Sequence, residues 1–305
     1  MTFSQSKLRS ALTAVVMGGL LGAFASDAWA APATFVTALP VAQNQALVRF
    51  NAQPAFGSKG YSNVQFPVNI GYGLTPKWTL FANVNQGFTA LDNNPSTGGS
   101  GDLLFFVRNT LFKLDKPKST FRIAPLAGLY IPTGDNRQTS HGSLAPGPLQ
   151  TGSGTADPYV GITSGYNTVR YGAALDTTWR YNPVAHSGYS PGNQLRSDAQ
   201  MEVTLLPLHL PNEGLPSLFI LSLEANYAQS SDSRLNRVGS PSASKTFSQD
   251  AIFEIATLHW EVGAGAQFPV MQDFVSAPAS KQHTGYYAFF EYYLSTPSWH
   301  HKRAQ

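Results

Sequence analysis

From about residue 46 onward apolar residues recur with a period of two, in runs close to the roughly 9 to 11 residues that a tilted strand needs to cross a bilayer. Over 64 to 74, Val64, Phe66, Val68, Ile70, Tyr72 and Leu74 share one face, opposite Gln65, Pro67, Asn69, Gly71 and Gly73. Trp78, Leu80, Ala82, Val84 and Phe88 likewise oppose Thr79, Asn83, Asn85 and Gly87. Further along, Tyr171, Ala173, Leu175, Thr177, Trp179 and Tyr181 oppose Gly172, Asp176, Thr178 and Arg180. Twelve such segments are legible, at about 46–56, 61–74, 77–89, 101–113, 119–132, 156–167, 169–182, 194–206, 217–229, 247–258, 260–271 and 283–294. The pattern predicts an all-β protein, a transmembrane antiparallel up-and-down β-barrel of about 12 strands.

The connections support this. Those after even strands are mostly tight (Thr75-Pro76, Asp115 to Lys118, Asn167 to Val169, His259, with Leu208 to Pro216 longer), whereas those after odd strands are mostly long, the longest running from Thr133 to Thr155. Alternate short turns and long loops are expected of a barrel with periplasmic turns, extracellular loops and both termini in the periplasm. Within the segments nearly every charge lies opposite the apolar row: Arg49, Asp102, Arg108, Arg122, Asp176, Arg180, Arg196, Asp198, Glu202, Glu224, Asp250, Glu254, Glu261 and Glu291. A lipid-facing charge near mid-bilayer costs about 2–4 kcal/mol, which accounts for the segregation. A soluble lipocalin-like barrel would turn its apolar face inward. It would have no need of aromatic edging such as Trp78, Tyr72, Tyr166 and Trp260 at one set of strand ends and Phe56, Phe88, Trp179 and Tyr227 at the other, the positions of interfacial girdles.

Composition agrees. Asp, Glu, Lys and Arg make up 12% of 305 residues, about half the roughly 25% of a soluble protein. Mean hydropathy is -0.15, too low for a bundle of apolar membrane helices. A net charge of +3 behind a pI near 9.0 is a small imbalance and not a nucleic-acid-binding patch. The absence of Cys excludes disulfides, thiolate metal sites and Cys nucleophiles.

At the N-terminus, Lys7 and Arg9 precede an apolar run from Ala11 to Ala25 and then Ala28-Trp29-Ala30, the pattern of a cleaved export signal over 1–30. The run falls short of the roughly 20 residues of a membrane anchor. Residues 31–45 read as a lead-in or plug, 46–294 as the outer-membrane barrel, and 295–305 as a polar tail.

The stretch Tyr130-Ile131-Pro132-Thr133-Gly134-Asp135, followed by Pro146-Gly147-Pro148-Leu149-Gln150-Thr151-Gly152-Ser153-Gly154 and by Asp157, resembles the Gram-negative outer-membrane family labelled MetA-pathway of phenol degradation, or simply transporter. The likeness is specific over 130–182 and diffuse elsewhere. It implies an outer-membrane β-barrel that takes up hydrophobic or aromatic compounds. Members commonly end near an aromatic residue, whereas here the strand ending at Leu294 is followed by Ser295 to Gln305; that strand still carries Gly285, Phe290 and Tyr292 in an arrangement similar to a barrel-assembly signal.

Catalytic signals are thin. Gly188-Tyr189-Ser190-Pro191-Gly192 matches Gly-x-Ser-x-Gly, but the residue after the serine must donate its N–H to the oxyanion hole, and proline has none. The histidines, 141, 186, 209, 259, 283, 300 and 301, all fall in loops, at strand ends or in the tail. Adjacent His300 and His301 make a poor chelate, and Asp92-Asn93-Asn94 lacks EF-hand spacing. No enzyme, cofactor or metal is expected, and no nucleic-acid partner. Expected partners are outer-membrane lipid, the barrel-assembly machinery and a small solute.

Two readings of the lumen stay open. Arg49, Arg108 and Arg122 on strands 1, 4 and 5 form a basic arc, while Asp198, Glu202, Glu224, Asp250, Glu254, Glu261 and Glu291 on strands 8 to 12 form an acidic one; Asp176, Arg180 and Arg196 mix the signs. Facing arcs would set a transverse field across a porin-like passive channel. Alternatively the opposed charges pair and hold the barrel shut, as a structural or surface-interaction protein.

Overall fold

A computed structural model describes residues 41–57, 62–90, 96–140, 142–145, 149–186, 188–207, 217–240, 242–257, 259–274 and 282–295. The export signal, most of the lead-in, His141, Pro146, Gly147, His209, Asp92 to Asn94 and the tail beyond Ser295 lie outside these. The chain forms one closed antiparallel barrel of twelve staves. These are β1 (Gln45–Gly57), β2 (Ser62–Gln65 and Val68–Gly73), β3 (Trp78–Val84 and Gln86–Ala90), β4 (Thr97–Ser100, Leu103–Asn109 and Phe112–Lys116), β5 (Ser119–Ile131) and β6 (Asp157–Thr168). They continue as β7 (Tyr171–Arg180), β8 (Gln194–Leu206), β9 (Leu218–Ser230), β10 (Ser244–Ala256), β11 (Trp260–Phe274) and β12 (Gln282–Ser295). Each stave pairs with the next, and β1 closes on β12 with Arg49 opposite Glu291 and Phe50 opposite Phe290.

The continuous strands of the sequence reading are interrupted in β2, β3 and β4, at one level of the wall. Pro67 has no N–H for the ladder, and its carbonyl instead accepts from Asn51 N at 2.9 Å and Asn51 Nδ2 at 3.0 Å. Phe66 N donates to Gln86 O at 2.6 Å and Gly101 N to Asn85 O at 2.8 Å, carrying the irregularity from stave to stave. Above it Thr97–Ser100 pairs with β3 but not with β5.

The outward face is apolar: Met201 is 70%, Phe253 64% and Leu223 55% exposed. Trp78, Tyr166, Phe88 and Trp179 are also exposed on this face, near the strand ends. An apolar exterior around a polar interior is the inverse of a soluble barrel, and only lipid makes it stable.

Small strands decorate the loop end. Thr139–Ser140 pairs with Ser143–Leu144, and Tyr189–Ser190 joins Ser233–Leu235 and Val238–Ser240. Ser190 is buried in that small sheet, where its Oγ accepts from Ala185 N at 2.8 Å. The Gly-x-Ser-x-Gly match thus stands in a loop sheet, in no strand-to-helix elbow.

Candidate functional site: the barrel lumen

Of the fourteen predicted charges, eleven border a cavity inside the barrel, Asp102 and Asp250 are buried, and Arg122 stands beside Asp115 at the β4–β5 turn. At the loop end, Arg180 on β7 is the hub. Its guanidinium is bonded to Asp157 of β6 at 2.5 Å and to Asp102 of β4 at 3.1 Å, and lies 3.8 Å over the Tyr130 ring of β5. All three charged residues are buried. Asp102 in turn accepts from Gly134 N at 3.2 Å and Ser153 N at 2.9 Å. The long β5–β6 loop is therefore tied to the inner wall at both ends of its motif.

The motif residues make the rest of that tether. Thr133 Oγ1 accepts from Leu103 N and donates to Gly101 O, and Asp135 O accepts from Thr151 N and Gly152 N. Gln150 Oε1 accepts from Gln138 N while its amide nitrogen donates to Gln138 O and Ala145 O. Gly134 and Gly152 touch backbone to backbone: a Cβ on either would come within 2.5 Å of the other strand's atoms. Gly154 holds a φ of +71°, a conformation that side chains disfavour. Pro132 is exposed beside them.

Toward the middle and the turn end the charges are less fully matched. Arg49 reaches Glu291 at 3.6 Å with its guanidinium 3.6 Å over Phe289. Arg108 is 2% exposed and lies 4.8 Å from the Phe81 ring centre. Arg122 reaches Asp115 at 3.6 Å beside the β4–β5 turn, and Arg196 donates to Asp198 at 2.6 Å. Glu202 folds over Gly172 of β7. Asp176 stands opposite Asp198, Glu224 opposite Asp250, Glu254 opposite Gly263, and Glu261 opposite Glu291.

Barrel closure revises the two arcs. Strand 1 is the neighbour of strand 12, so Arg49 belongs to the acidic wall and pairs within it. Arg122 sits at the rim beside Asp115. The wall from β7 to β12 carries eight carboxylates, Asp176, Asp198, Glu202, Glu224, Asp250, Glu254, Glu261 and Glu291, against Arg180 and Arg196.

Opposite this wall lies an apolar patch that the alternation did not reveal. Leu104, Phe106 and Leu126 are buried on the inner side and pack with Phe81, Tyr130 and Tyr159. Phe81 stacks on Phe106 at 4.8 Å, and Tyr159 meets Phe106 and Tyr130 edge-on at 5.9 and 5.6 Å. A cavity of about 600 Å³ runs between the two walls, bordered from Glu202, Glu261 and Tyr293 near the turns to Ser230 and Phe274 near the loops. Val41, from the lead-in, is buried at its edge beside Gly71, and Asn44 N donates to Gly73 O at 2.8 Å.

With that geometry in view, the chain can be set beside known proteins. The crystal structure of the COG4313 outer membrane channel from Pseudomonas putida F1 superposes with a TM-score of 0.59 at 12% identity, over 84% of this chain and 97% of that one. The chain has the fold of that outer-membrane channel. The resemblance carried by residues 130–182 and the structural match thus lead to the same architecture. The β domain of the Bordetella autotransporter BrkA aligns over 82% of this chain and 99% of its own at 9% identity, with a TM-score of 0.45. No protein-family model and no curated protein sequence matches the chain.

Proposed function

We propose that this barrel is an outer-membrane channel for passive entry of small solutes that carry an apolar, preferably aromatic, part. The observation that carries the reading is the inner aromatic patch of Phe81, Phe106, Tyr130 and Tyr159 on the wall of a cavity of about 600 Å³. Water-filled pores gain nothing from buried aromatic rings, whereas a site for apolar solutes is lined in this way, with a few polar groups setting orientation. The likeness to a bacterial outer membrane channel is consistent with this role.

The second reading, a closed barrel whose loops bind a partner, is favoured by the tether at the loop end. Leu149, Gln150, Thr151 and Ser153 are all at most 1% exposed against the inner wall. Flux of aromatic acids, hydrocarbons and sugars into liposomes holding the purified protein separates the two. The channel reading expects aromatic solutes to enter faster than sugars of equal size, and Phe106→Ala to reduce that preference. No flux of any solute and no conductance in planar bilayers would establish the closed barrel instead.

A further inference from the structure

The β4–β5 hairpin stands out from the rim at the turn end. β3 begins at Trp78, opposite Asn109, whereas β4 runs on through Phe112–Lys116. That last piece pairs with β5 alone, Phe112 opposite Ile123 and Lys116 opposite Ser119. Its other edge has no ladder partner among the described residues, so alternate N–H groups point into a notch beside the β2–β3 turn. Thr110 N donates to Lys77 O at 2.8 Å, which fixes Lys77 at the head of that notch. Every residue from Leu111 to Lys118 is exposed.

Two kinds of side chain surround the notch. Leu114 stands opposite Phe121, Phe121 opposite Tyr166, Tyr166 opposite Ala173 and Ala173 opposite Met201, so the outer face of the hairpin continues the lipid-facing row without a break. Phe112 meets Phe121 edge-on at 6.0 Å on the same face. The rest is cationic. Three of the chain's nine lysines are Lys113, Lys116 and Lys118, and Lys77 is a fourth. Asp115 is the one acid between Thr110 and Thr120, and Lys113 at 2.6 Å, Arg122 at 3.6 Å and Thr120 Oγ1 at 2.6 Å already hold it. Lys77, Lys116 and Lys118 have no carboxylate partner among the described residues.

We propose that this hairpin binds the headgroup of an anionic glycerophospholipid in the leaflet at the turn end, with the acyl chains against Phe112 and Leu114. Continuity with the lipid belt puts those two side chains at the membrane boundary, where the neighbouring lysines meet headgroups. Each lysine near an anionic surface strengthens binding about fivefold, and the free strand edge adds N–H donors for phosphate oxygens. Lysine at a free edge also guards against pairing with another strand. That guard needs only charge, so it gives no dependence on the headgroup. An acidic peptide added to the edge is the competing occupant, and it would leave Phe112 and Leu114 uncovered on the outer face. The inference is independent of whether the lumen conducts.

Native mass spectrometry of the folded full-length protein, released from neutral detergent with one ligand added at a time, tests this. The probes are dioleoyl phosphatidylglycerol, dioleoyl phosphatidylcholine, lipid A and a deca-glutamate peptide. Phosphatidylglycerol should be retained at least about tenfold more tightly than phosphatidylcholine. The double variant Lys116→Gln/Lys118→Gln should cut that preference at least about fivefold, whereas Lys245→Gln at the loop end should leave it unchanged. Heat-modifiable gel mobility verifies that each variant is folded. Equal retention of the two phospholipids, or tighter retention of lipid A or of the peptide than of phosphatidylglycerol, overturns the proposal. So does a preference untouched by the folded double variant, or one lost equally in Lys245→Gln.

Discussion

Arg180→Met is the most informative perturbation of the loop end. The substitution keeps an apolar chain against Tyr130 but removes the cation bonded to Asp157 at 2.5 Å and Asp102 at 3.1 Å. The two carboxylate oxygens can be no further apart than those two bonds laid end to end, roughly 5 to 6 Å. At an effective dielectric constant of about 20 their unscreened repulsion is roughly 3 kcal/mol, in line with the about 3–5 kcal/mol that breaking a buried ion pair costs. Because Asp102 also holds Gly134 N and Ser153 N, the strain is delivered to the β5–β6 loop. Trypsin reports it directly, since Arg137 is the one Lys or Arg between 133 and 155 and is exposed. We expect nicking at Arg137 to accelerate at least tenfold and urea unfolding in vesicles to shift by about 3 kcal/mol or more. Adding Asp157→Asn should recover most of both, because a repulsion between two charges vanishes when either is removed. Nicking and unfolding indistinguishable from the native protein would refute the claim that this cluster holds the loop.

Gly152→Val should destabilise the same loop by about 1–3 kcal/mol through overpacking, because its Cβ would come within 2.5 Å of Gly134 backbone atoms; faster cleavage at Arg137 with unchanged heat-modifiable mobility is the expected readout. Leu175→Arg places a charge on the lipid face at the middle of β7, where the native side chain is 53% exposed. Refolding into bilayers should lose about 2–4 kcal/mol, whereas Gln200→Arg on the inner face of the adjacent stave should lose less. In the β9–β10 loop, backbone hydrogen bonds from Ser242 and Ala243 hold the Asp232 carboxyl below its ordinary value of 3.8. A depressed folded pKa adds stability above the unfolded value and loses it as pH falls through the folded one. Amide protection at Ser242 and Ala243 should therefore fall only below pH 3.8, and Asp232→Ala should abolish it at neutral pH.

The lipid face was legible because its rule is strict: one misplaced charge costs more than most strands can tolerate, so Val64 to Leu74 and Tyr171 to Tyr181 alternate almost without exception. The inner face obeys a weaker rule. It must be filled, and rings and charges fill it equally well. Leu103-Leu104-Phe105-Phe106 is four apolar residues in succession, and nothing in that run tells that Leu104 and Phe106 point inward while Phe105 meets lipid. The departure from alternation was the available signal, as it was at Phe81 between Leu80 and Ala82. Closure was hidden for another reason. The neighbour of Arg49 is Glu291, at the far end of the chain, and only the joined edge turns a first-strand cation into part of a last-strand acidic wall.

The motif at residues 130–157 gains a physical account from the same geometry. Its glycines are needed where the loop's two arms touch, and its Asp157 is needed because Arg180 would otherwise be a buried cation facing Asp102 alone. The motif therefore encodes a loop folded onto the inner wall, and it contributes no ring to the aromatic patch other than Tyr130. The two ends of the lumen divide the labour accordingly. Charges at the loop end are matched and tether structure, whereas around Asp176, Arg196 and Asp198 both acceptors and a guanidinium nitrogen stand unpaired among the described residues, beside the cavity. Solute preference should then follow substitutions in the middle of the barrel, and accessibility should follow substitutions at the loop end. A variant such as Gly152→Val that changed which solutes bind, while leaving the loop protected from trypsin, would contradict that division.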